Sequence, residues 1–138
     1  MRIATAIREE RAQNPNTLLF DNGDNIQGNP VGEYLAKNPP QAGQLSPIMS
    51  LLNFMQYDAM NLGNHEFNFG LDYLNKVISG AQFPVVCANV VDALAGTPYF
   101  RPYTLLSRAF RDREGKLQNL RVGVLGLLPP QIVSWDTA

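Results

Sequence analysis

The sequence predicts an α/β fold that contains parallel strands. Three observations favour this class. Short apolar runs alternate with segments of helical periodicity, polar glycine-containing loops follow two of these runs, and 138 residues of 45% hydrophobic composition suffice for one core. Such alternation is typical of strands joined by helical crossovers. We therefore expect residues 1–138 to form a single domain.

The first predicted elements are a helix and a strand. Residues 2–13 place apolar side chains at helical spacing with charge on the other face, and a proline-containing turn ends the pattern. Residues 17–20, TLLF, form a short apolar run that predicts a buried strand. This run ends in DNGD, residues 21–24, a turn-forming stretch at the expected carboxyl end of the strand.

Two further helices are expected before the next strand. Residues 31–36 and 45–55 show helical periodicity and are separated by the loop NPPQAGQ. Ser46 is the expected N-cap of the second helix, with Pro47 in its first turn. We expect the loop to lie on the surface of one domain.

A second strand, a helix and a third strand follow. The stretch YDAMNLG predicts a short strand that runs into GNHEFNFG, residues 63–70. Residues 70–79 have helical spacing, and the valine-rich residues 83–91 predict a third strand. Further on, YTLLSRAF and NLRVGVLGLL flank the turn DREGK, where Gly115 favours reversal of the chain. These two segments predict either a hairpin or two successive strands.

Composition argues against several classes of function. Eleven basic and twelve acidic residues give a net charge of −1 without a basic cluster, so we expect no binding of duplex nucleic acid or anionic membranes. No apolar stretch approaches the ~20 residues needed to span a bilayer. The first residues run into a polar helical pattern, and we expect no signal peptide within this chain.

Cys87 is the only cysteine, which excludes an internal disulfide. It lies in the apolar run PVVCANV, so we expect a small buried hydrophobic residue. A nucleophilic role is disfavoured because no histidine is free to activate the thiol.

Unusual polar residues follow two of the predicted strands. Asp24 lies after the first strand, and Asn64 and His65 lie after the second. Because the carboxyl ends of parallel strands meet at one edge of a sheet, we expect the two loops to be neighbours. A carboxylate, an amide oxygen and an imidazole suit a divalent metal that assists attack on a phosphate.

The same residues also fit structural roles. DNGD is an ordinary turn composition, Asn64 can cap a turn, and a single histidine in a polar loop is commonly solvated. Glu66 could instead interact with the dipole of the helix that begins near Gly70. HEF does not develop into H-E-x-x-H, which excludes the thermolysin-type zinc helix.

Four blocks of sequence carry a family resemblance: DNGDNIQGNPVGEYL, NLGNHEFNFGLDYL, FPVVCANVVDA and GVLGLLPPQIVSWD. In this order they resemble the calcineurin-like metallophosphoesterases, within them the 2',3'-cyclic-nucleotide 2'-phosphodiesterase/3'-nucleotidase branch of the 5'-nucleotidase family. The resemblance extends from residue 2 to Trp135. It implies a layered α/β/β/α sandwich, of which this chain is a part, and metal-dependent hydrolysis of 2',3'-cyclic nucleotides and 3'-nucleotides.

The resemblance also implies roles for individual residues. Asp24 would bridge two divalent metal ions, Asn64 would ligate one of them, and His65 would contact the substrate phosphate. The sequence leaves open whether the metals are Mn, Zn, Co or Ca. Polar neighbours are expected to support these residues or to stabilise turns: Asn22, Glu66, Asn68, Asp21, Gln27 and Asn29.

Asn68 steers the choice between branches of the family. In 5'-nucleotidases an aspartate three residues after the histidine orients the imidazole, and here that position is Asn68. An asparagine cannot supply the carboxylate charge of a histidine–acid dyad. The resemblance therefore favours the cyclic phosphodiesterase branch, with a 5'-nucleotidase or UDP-sugar hydrolase relative as the alternative.

A chain with one histidine cannot complete the two-metal site of the family. The family's D-x-H block would precede residue 1, and its later histidine and G-H-x-H blocks would follow residue 138. We therefore expect an N-terminal-half fragment of the catalytic domain, lacking the first strand, which binds one metal weakly or none and is inactive alone. A non-catalytic module that retains the fold is a further alternative. Unpaired sheet edges predict self-association, and the resemblance implies a periplasmic or cell-envelope location.

Overall fold

The computed structural model describes residues 2–41 and 43–135. Its elements are α1 (Arg2–Gln13), β1 (Phe20–Asp21), α2 (Pro30–Lys37), α3 (Pro47–Phe54), β2 (Ala59–Asn61), a 3₁₀ helix (Asn64–Phe67), α4 (Leu71–Ile78), β3 (Val85–Val86), β4 (Tyr103–Arg111), β5 (Leu117–Leu125) and α5 (Ile132–Trp135). This alternation confirms the predicted α/β class. No helix in the described ranges is long and apolar enough to cross a membrane.

The first sheet consists of β1, β2 and β3 in that order, and both pairings are parallel. Its strands are shorter than the apolar runs predicted at residues 17–20 and 83–91. The third run leaves the sheet because its next backbone groups have other partners: Cys87 N–H donates to Arg101 O and Ala88 N–H donates to Gly126 O, both at 2.8 Å. The predicted third strand is therefore correct in place and too long.

One hydrophobic core joins this sheet to α3 and α4. Met60 of β2 and Leu62, directly after β2, both belong to this core. The other buried members are Ile26, Met49, Leu52, Tyr73, Leu74, Val77, Phe83, Cys87 and Leu128. Burial of these side chains fixes the carboxyl edge of the sheet, from which the two polar loops emerge.

The N-terminal ends of α2 and α3 are stabilised in different ways. Asn29 caps α2, since its Oδ1 accepts from Val31 N–H at 3.0 Å and Gly32 N–H at 2.9 Å. Ser46 occupies the expected N-cap position of α3, but its side chain makes no capping hydrogen bond. The fixed φ of Pro47 at the start of α3 therefore contributes more to this helix start than the serine hydroxyl.

The strands β4 and β5 form an antiparallel hairpin, which decides between the two arrangements left open by the sequence. Gly115 lies in the connecting turn with φ +81°, a conformation that favours glycine. Asp112 orders the turn by accepting from Glu114 N–H at 3.0 Å and Lys116 N–H at 2.9 Å. A hydrogen bond from the Gln118 side chain, together with these two backbone bonds, lowers the pKa of the Asp112 carboxyl.

Asp58, directly before β2, forms hydrogen bonds with Leu19, directly before β1, and with Arg108 of the hairpin. Its Oδ2 accepts from Leu19 N–H at 2.8 Å, and its Oδ1 accepts from Arg108 Nη2 at 2.8 Å. The Asp58 side chain is 12% exposed, whereas that of Arg108 is 42% exposed. The backbone N–H of Asp58 also donates to Leu19 O at 2.8 Å.

We expect Asp58→Ala to lower the free energy of unfolding by about 1–3 kcal/mol, because Leu19 N–H loses its acceptor in a partly buried position. Arg108→Ala removes only the exposed partner and should cost less than about 1 kcal/mol. Urea denaturation of both variants measures the difference. Equal losses would show that the ion pair carries the effect.

Cys87 is buried, as the sequence predicts, and burial raises the pKa of its thiol. A raised pKa reduces the thiolate fraction at neutral pH. We therefore expect iodoacetamide to leave Cys87 unmodified in the native protein and to alkylate it after unfolding in guanidinium chloride. Mass spectrometry of the two samples measures this difference, and rapid native modification would contradict the buried position.

Candidate functional site

Two polar loops meet at the carboxyl edge of the first sheet. The first loop, residues 22–29, follows β1, and the second loop, residues 62–70, follows β2. Because β1 and β2 are parallel neighbours, their carboxyl ends lie side by side. The backbone N–H of His65 donates to Asp24 Oδ1 at 3.0 Å. The expected proximity of the two loops is thus present in the structure.

Glu66 connects the first loop to the second through hydrogen bonds to backbone N–H groups. Its side chain is 0% exposed, and its Oε2 accepts from the backbone N–H groups of Asp24 and Gly63, each at 2.6 Å. Its Oε1 accepts from Asn25 N–H, also at 2.6 Å. Burial raises the pKa of the Glu66 carboxyl, and the three backbone hydrogen bonds offset part of that rise. Both oxygens of Glu66 therefore bond to the loops, and its suggested interaction with the dipole of α4 stays a prediction.

Two glycines allow this close approach. A Cβ on Gly23 would lie 2.7 Å from Glu66 Oε2 and 2.6 Å from the Cα of Gly63. A Cβ on Gly63 would lie 2.6 Å from the backbone nitrogen of Asp24. Real Cβ atoms do not tolerate such distances to backbone, so the loops meet backbone to backbone only because both positions lack a side chain.

Asp24 has an unusual backbone conformation for a residue with a side chain. Its φ is +63°, in the left-handed region. That conformation costs roughly 1–2 kcal/mol in a non-glycine residue and is compensated by its surroundings. Here the Asp24 N–H bonds to Glu66, and its Oδ1 accepts from His65 N–H. These two hydrogen bonds hold the backbone and the carboxylate of Asp24 in place.

His65 lies in the 3₁₀ helix, and its ring is oriented by Asn68. His65 Nδ1 and Asn68 Oδ1 are 2.8 Å apart. With the Asn68 amide oxygen as the acceptor, Nδ1 is the donor in this contact, and Nε2 is the ring nitrogen left for another partner. Asn68 therefore occupies the orienting position without adding a carboxylate.

Asn64, the predicted metal ligand, begins the same 3₁₀ helix and is half-buried. It directly precedes His65, whose backbone is bonded to the Asp24 carboxylate. The three residues that the sequence predicts as the centre of the site thus belong to two loops in direct contact. Their chemical roles stay predictions.

Asn61 is a site neighbour that the sequence reasoning missed. Its Nδ2 donates to Asn22 Oδ1 and to Leu127 O, both at 3.1 Å. It therefore connects the first loop to the segment that follows β5. A polar side chain inside the apolar stretch AMNL was the available signal.

Asp21 has a local structural role. Its Oδ1 accepts from Gly23 N–H at 2.8 Å and from Asn25 Nδ2 at 2.6 Å. These bonds close the turn that places Asp24 after β1. Asp21 thus belongs to the structural group of the predicted polar neighbours.

Asp24 and Asn64 offer two oxygen donors of the kind that a divalent metal site uses. The Asp24 carboxylate and the Asn64 amide are hard oxygen ligands of the kind that divalent cations accept. Across residues 2–41 and 43–135, no group of three or more His, Cys, Asp or Glu side chains is arranged to hold a metal ion. Divalent metals in proteins take about four or more ligands. These residues therefore fit a portion of a two-metal site and do not complete one.

Comparison with known proteins identifies the family. The chain is 47% identical to the 2',3'-cyclic-nucleotide 2'-phosphodiesterase/3'-nucleotidase of Yersinia enterocolitica over 138 residues, which are 100% of the chain and 21% of that relative. Its fold matches the crystal structure of the calcineurin-like phosphoesterase YfkN from Bacillus subtilis with a TM-score of 0.92 and 47% identity, over 98% of this chain and 41% of that one. The chain belongs to the calcineurin-like phosphoesterases.

Similarity to another branch of these phosphoesterases is lower. A 5'-nucleotidase of Vibrio parahaemolyticus is 32% identical over 122 residues, which are 88% of the chain and 19% of that relative. No protein-family model matches the chain. This calcineurin-like phosphoesterase chain spans about one fifth of the length of the two enzymes compared by sequence.

The left-handed backbone of Asp24 can be tested by two substitutions that remove the same carboxylate. We expect Asp24→Gly to be more stable than Asp24→Ala by about 1 kcal/mol, because glycine tolerates positive φ. The matched pair at Asp72, in the first turn of α4, should show the opposite order, since glycine weakens a helix. Thermal denaturation measures all four variants. The same order at both positions would contradict strain at Asp24.

Proposed function

We propose that this chain contributes the Asp24–His65 part of a two-metal phosphoesterase site. The parent protein would hydrolyse 2',3'-cyclic nucleotides and 3'-nucleotides. The observation that carries the proposal is the 3.0 Å bond from His65 N–H to Asp24 Oδ1, which brings a candidate metal ligand and a candidate phosphate contact to one edge of the sheet. Similarity to the Yersinia enzyme supports the substrate class.

Each of the three central residues has a distinct proposed role. Asp24 would hold the two metals through its carboxylate, as the bridging ligand that the resemblance implies, and Asn64 would hold one of them through its amide oxygen. When bound, the divalent ions would supply a water nucleophile of lowered pKa and neutralise charge on the phosphate. His65, held at Nδ1 by Asn68, would donate a hydrogen bond from Nε2 to the substrate phosphate as the imidazolium, in which both ring nitrogens are donors.

Substrate choice is proposed to follow the cyclic phosphodiesterase branch. Asn68 stands where 5'-nucleotidases have an aspartate, so His65 has a neutral orienting partner. The higher identity to the Yersinia enzyme than to the Vibrio 5'-nucleotidase supports the same choice. A 5'-nucleotidase or UDP-sugar hydrolase activity is the second candidate.

The remaining ligands are proposed to come from the parent protein's D-x-H block and later histidine blocks. Residues 1–138 would then be an N-terminal-half fragment of the catalytic domain and inactive alone. The location of the parent is proposed to be the periplasm or cell envelope, as the family resemblance implies. A non-catalytic module would instead bind no metal.

Self-association is proposed for the chain when it is separate. The cross-strand pair Tyr103 and Leu125 is 58% and 61% exposed on the outer face of the hairpin. Exposed apolar pairs of this kind favour association with another apolar surface. A second copy of the chain is the proposed partner of this face.

In the full-length parent, we expect Asp24→Asn to lower kcat/KM for bis(p-nitrophenyl) phosphate on the order of 100-fold or more, because the bridging charge is lost. Asp72→Asn, an exposed change on α4, is the matched control and should retain activity. Metal content is measured on the same samples. Unchanged turnover in the Asp24 variant would refute the proposed role.

A further inference from the structure

We infer that Glu66 is a positioning residue that assembles the site before any metal binds. It would hold the first and second loops together through backbone groups and thereby set the direction of the Asp24 carboxylate. The inference rests on the proposed function for its meaning in catalysis. Its structural content, loop assembly without metal, stands on contacts within this chain.

Three backbone donors converge on this one carboxylate. The N–H groups of Asp24 and Asn25 belong to the first loop, and that of Gly63 belongs to the second. All three hydrogen bonds measure 2.6 Å, and both oxygens of the side chain are used. Charge-assisted hydrogen bonds of this kind are stronger than neutral ones. Glu66 thus links the loops by side-chain chemistry that does not depend on a cation.

The surroundings of Glu66 leave little room for another partner. The side chain is fully buried, so water does not replace a lost protein contact without rearrangement. Gly23 and Gly63 bring the two backbones to the carboxylate, and a Cβ at Gly23 would overlap it. The loops are therefore shaped around this acid.

Glu66 acts on Asp24 through the peptide group. Its Oε2 fixes the N–H of a residue held at φ +63°, and this backbone conformation determines where the carboxylate of Asp24 points. The side chain of Asp24 in turn accepts from His65 N–H. Loss of the Glu66 bond would allow Asp24 to relax toward ordinary backbone angles and turn its carboxylate away.

Substitutions at position 66 separate charge from geometry. Glutamine keeps the length, but its amide nitrogen would face a backbone N–H in place of one carboxylate oxygen. Aspartate keeps the charge but is shorter by one methylene and cannot reach both loops. Glu33 of α2 is exposed, so Glu33→Gln is the matched control.

The decisive experiment is amide hydrogen exchange of the protein in EDTA, with the β4–β5 amides as an internal measure of folding. We expect the amides of Asp24, Asn25 and Gly63 to be protected without metal. Glu66→Gln and Glu66→Asp should lower their protection about 10-fold or more, while hairpin protection and the Glu33→Gln control stay unchanged. A second arm measures Mn²⁺ affinity of the full-length protein, which should fall about 10-fold or more in the Glu66 variants.

Each outcome bears on a separate claim. If the wild-type loop amides exchange freely in EDTA and become protected only with Mn²⁺, the metal assembles the loops and the inference is overturned. Unchanged loop protection in both Glu66 variants overturns it as well. If Glu66→Gln also loses protection of the hairpin amides, it is unfolded. The comparison of the wild type with and without Mn²⁺ and the Glu66→Asp variant then decide. The amide protection in EDTA can change as expected in the Glu66 variants while the full-length protein binds no Mn²⁺. That result would refute the proposed function and retain the role of Glu66 in loop assembly.

Discussion

The geometry of the site depends on one buried carboxylate that bonds three backbone N–H groups. Glu66 joins the loop after β1 to the loop after β2, and no exposed salt bridge in the described residues has a comparable position. Burial disfavours the charged form of the Glu66 carboxyl. Its hydrogen bonds offset this cost, because they satisfy three backbone N–H donors that burial would otherwise leave unpaired. The hydrogen bonds of Glu66 order the two loops, which is consistent with a site that must be rigid before it binds a ligand.

The sheet and the loops have complementary roles in this arrangement. Parallel pairing of β1 and β2 brings the loops to the same edge of the sheet. The hydrophobic core holds this edge in position. Glycines at positions 23 and 63 then permit contact between backbones. Asn61 adds a connection from the first loop to the segment after β5, so the hairpin is also coupled to the site. The candidate chemistry thus rests on a scaffold made of both local and distant contacts.

The sequence predicted the helices well because their periodicity and ends are local properties. Residues 2–13 were predicted and observed as one helix, while the strand predicted at residues 83–91 shortened to Val85–Val86. That difference arose because Cys87 and Ala88 bond to Arg101 and Gly126, partners that no local pattern identifies. Strand length in this chain is therefore a tertiary property.

The same limit applied to the site. Proximity of Asp24 and His65 followed from the rule for parallel strands, and the polar character of both loops was visible in the sequence. Glu66 was predicted only as a possible supporting residue, because two of its three donors lie in the other loop and no local pattern identifies them. Asn61 was missed because its partners are Asn22 and the chain after β5. Residue types predicted the candidate chemistry, whereas the support of the site required the three-dimensional contacts.

The central claim is that a divalent metal binds where the two loops meet. The most direct measurement is paramagnetic line broadening by Mn²⁺ in the NMR spectrum of the isotopically labelled full-length parent, in which the remaining proposed ligands are present. We predict that substoichiometric Mn²⁺ broadens the amide signals of Asp24, Asn64 and His65 first and leaves those of the hairpin turn near Gly115 sharp. Broadening centred on other acidic residues, such as Asp92 or Asp112, or no broadening at either loop, would contradict the claim.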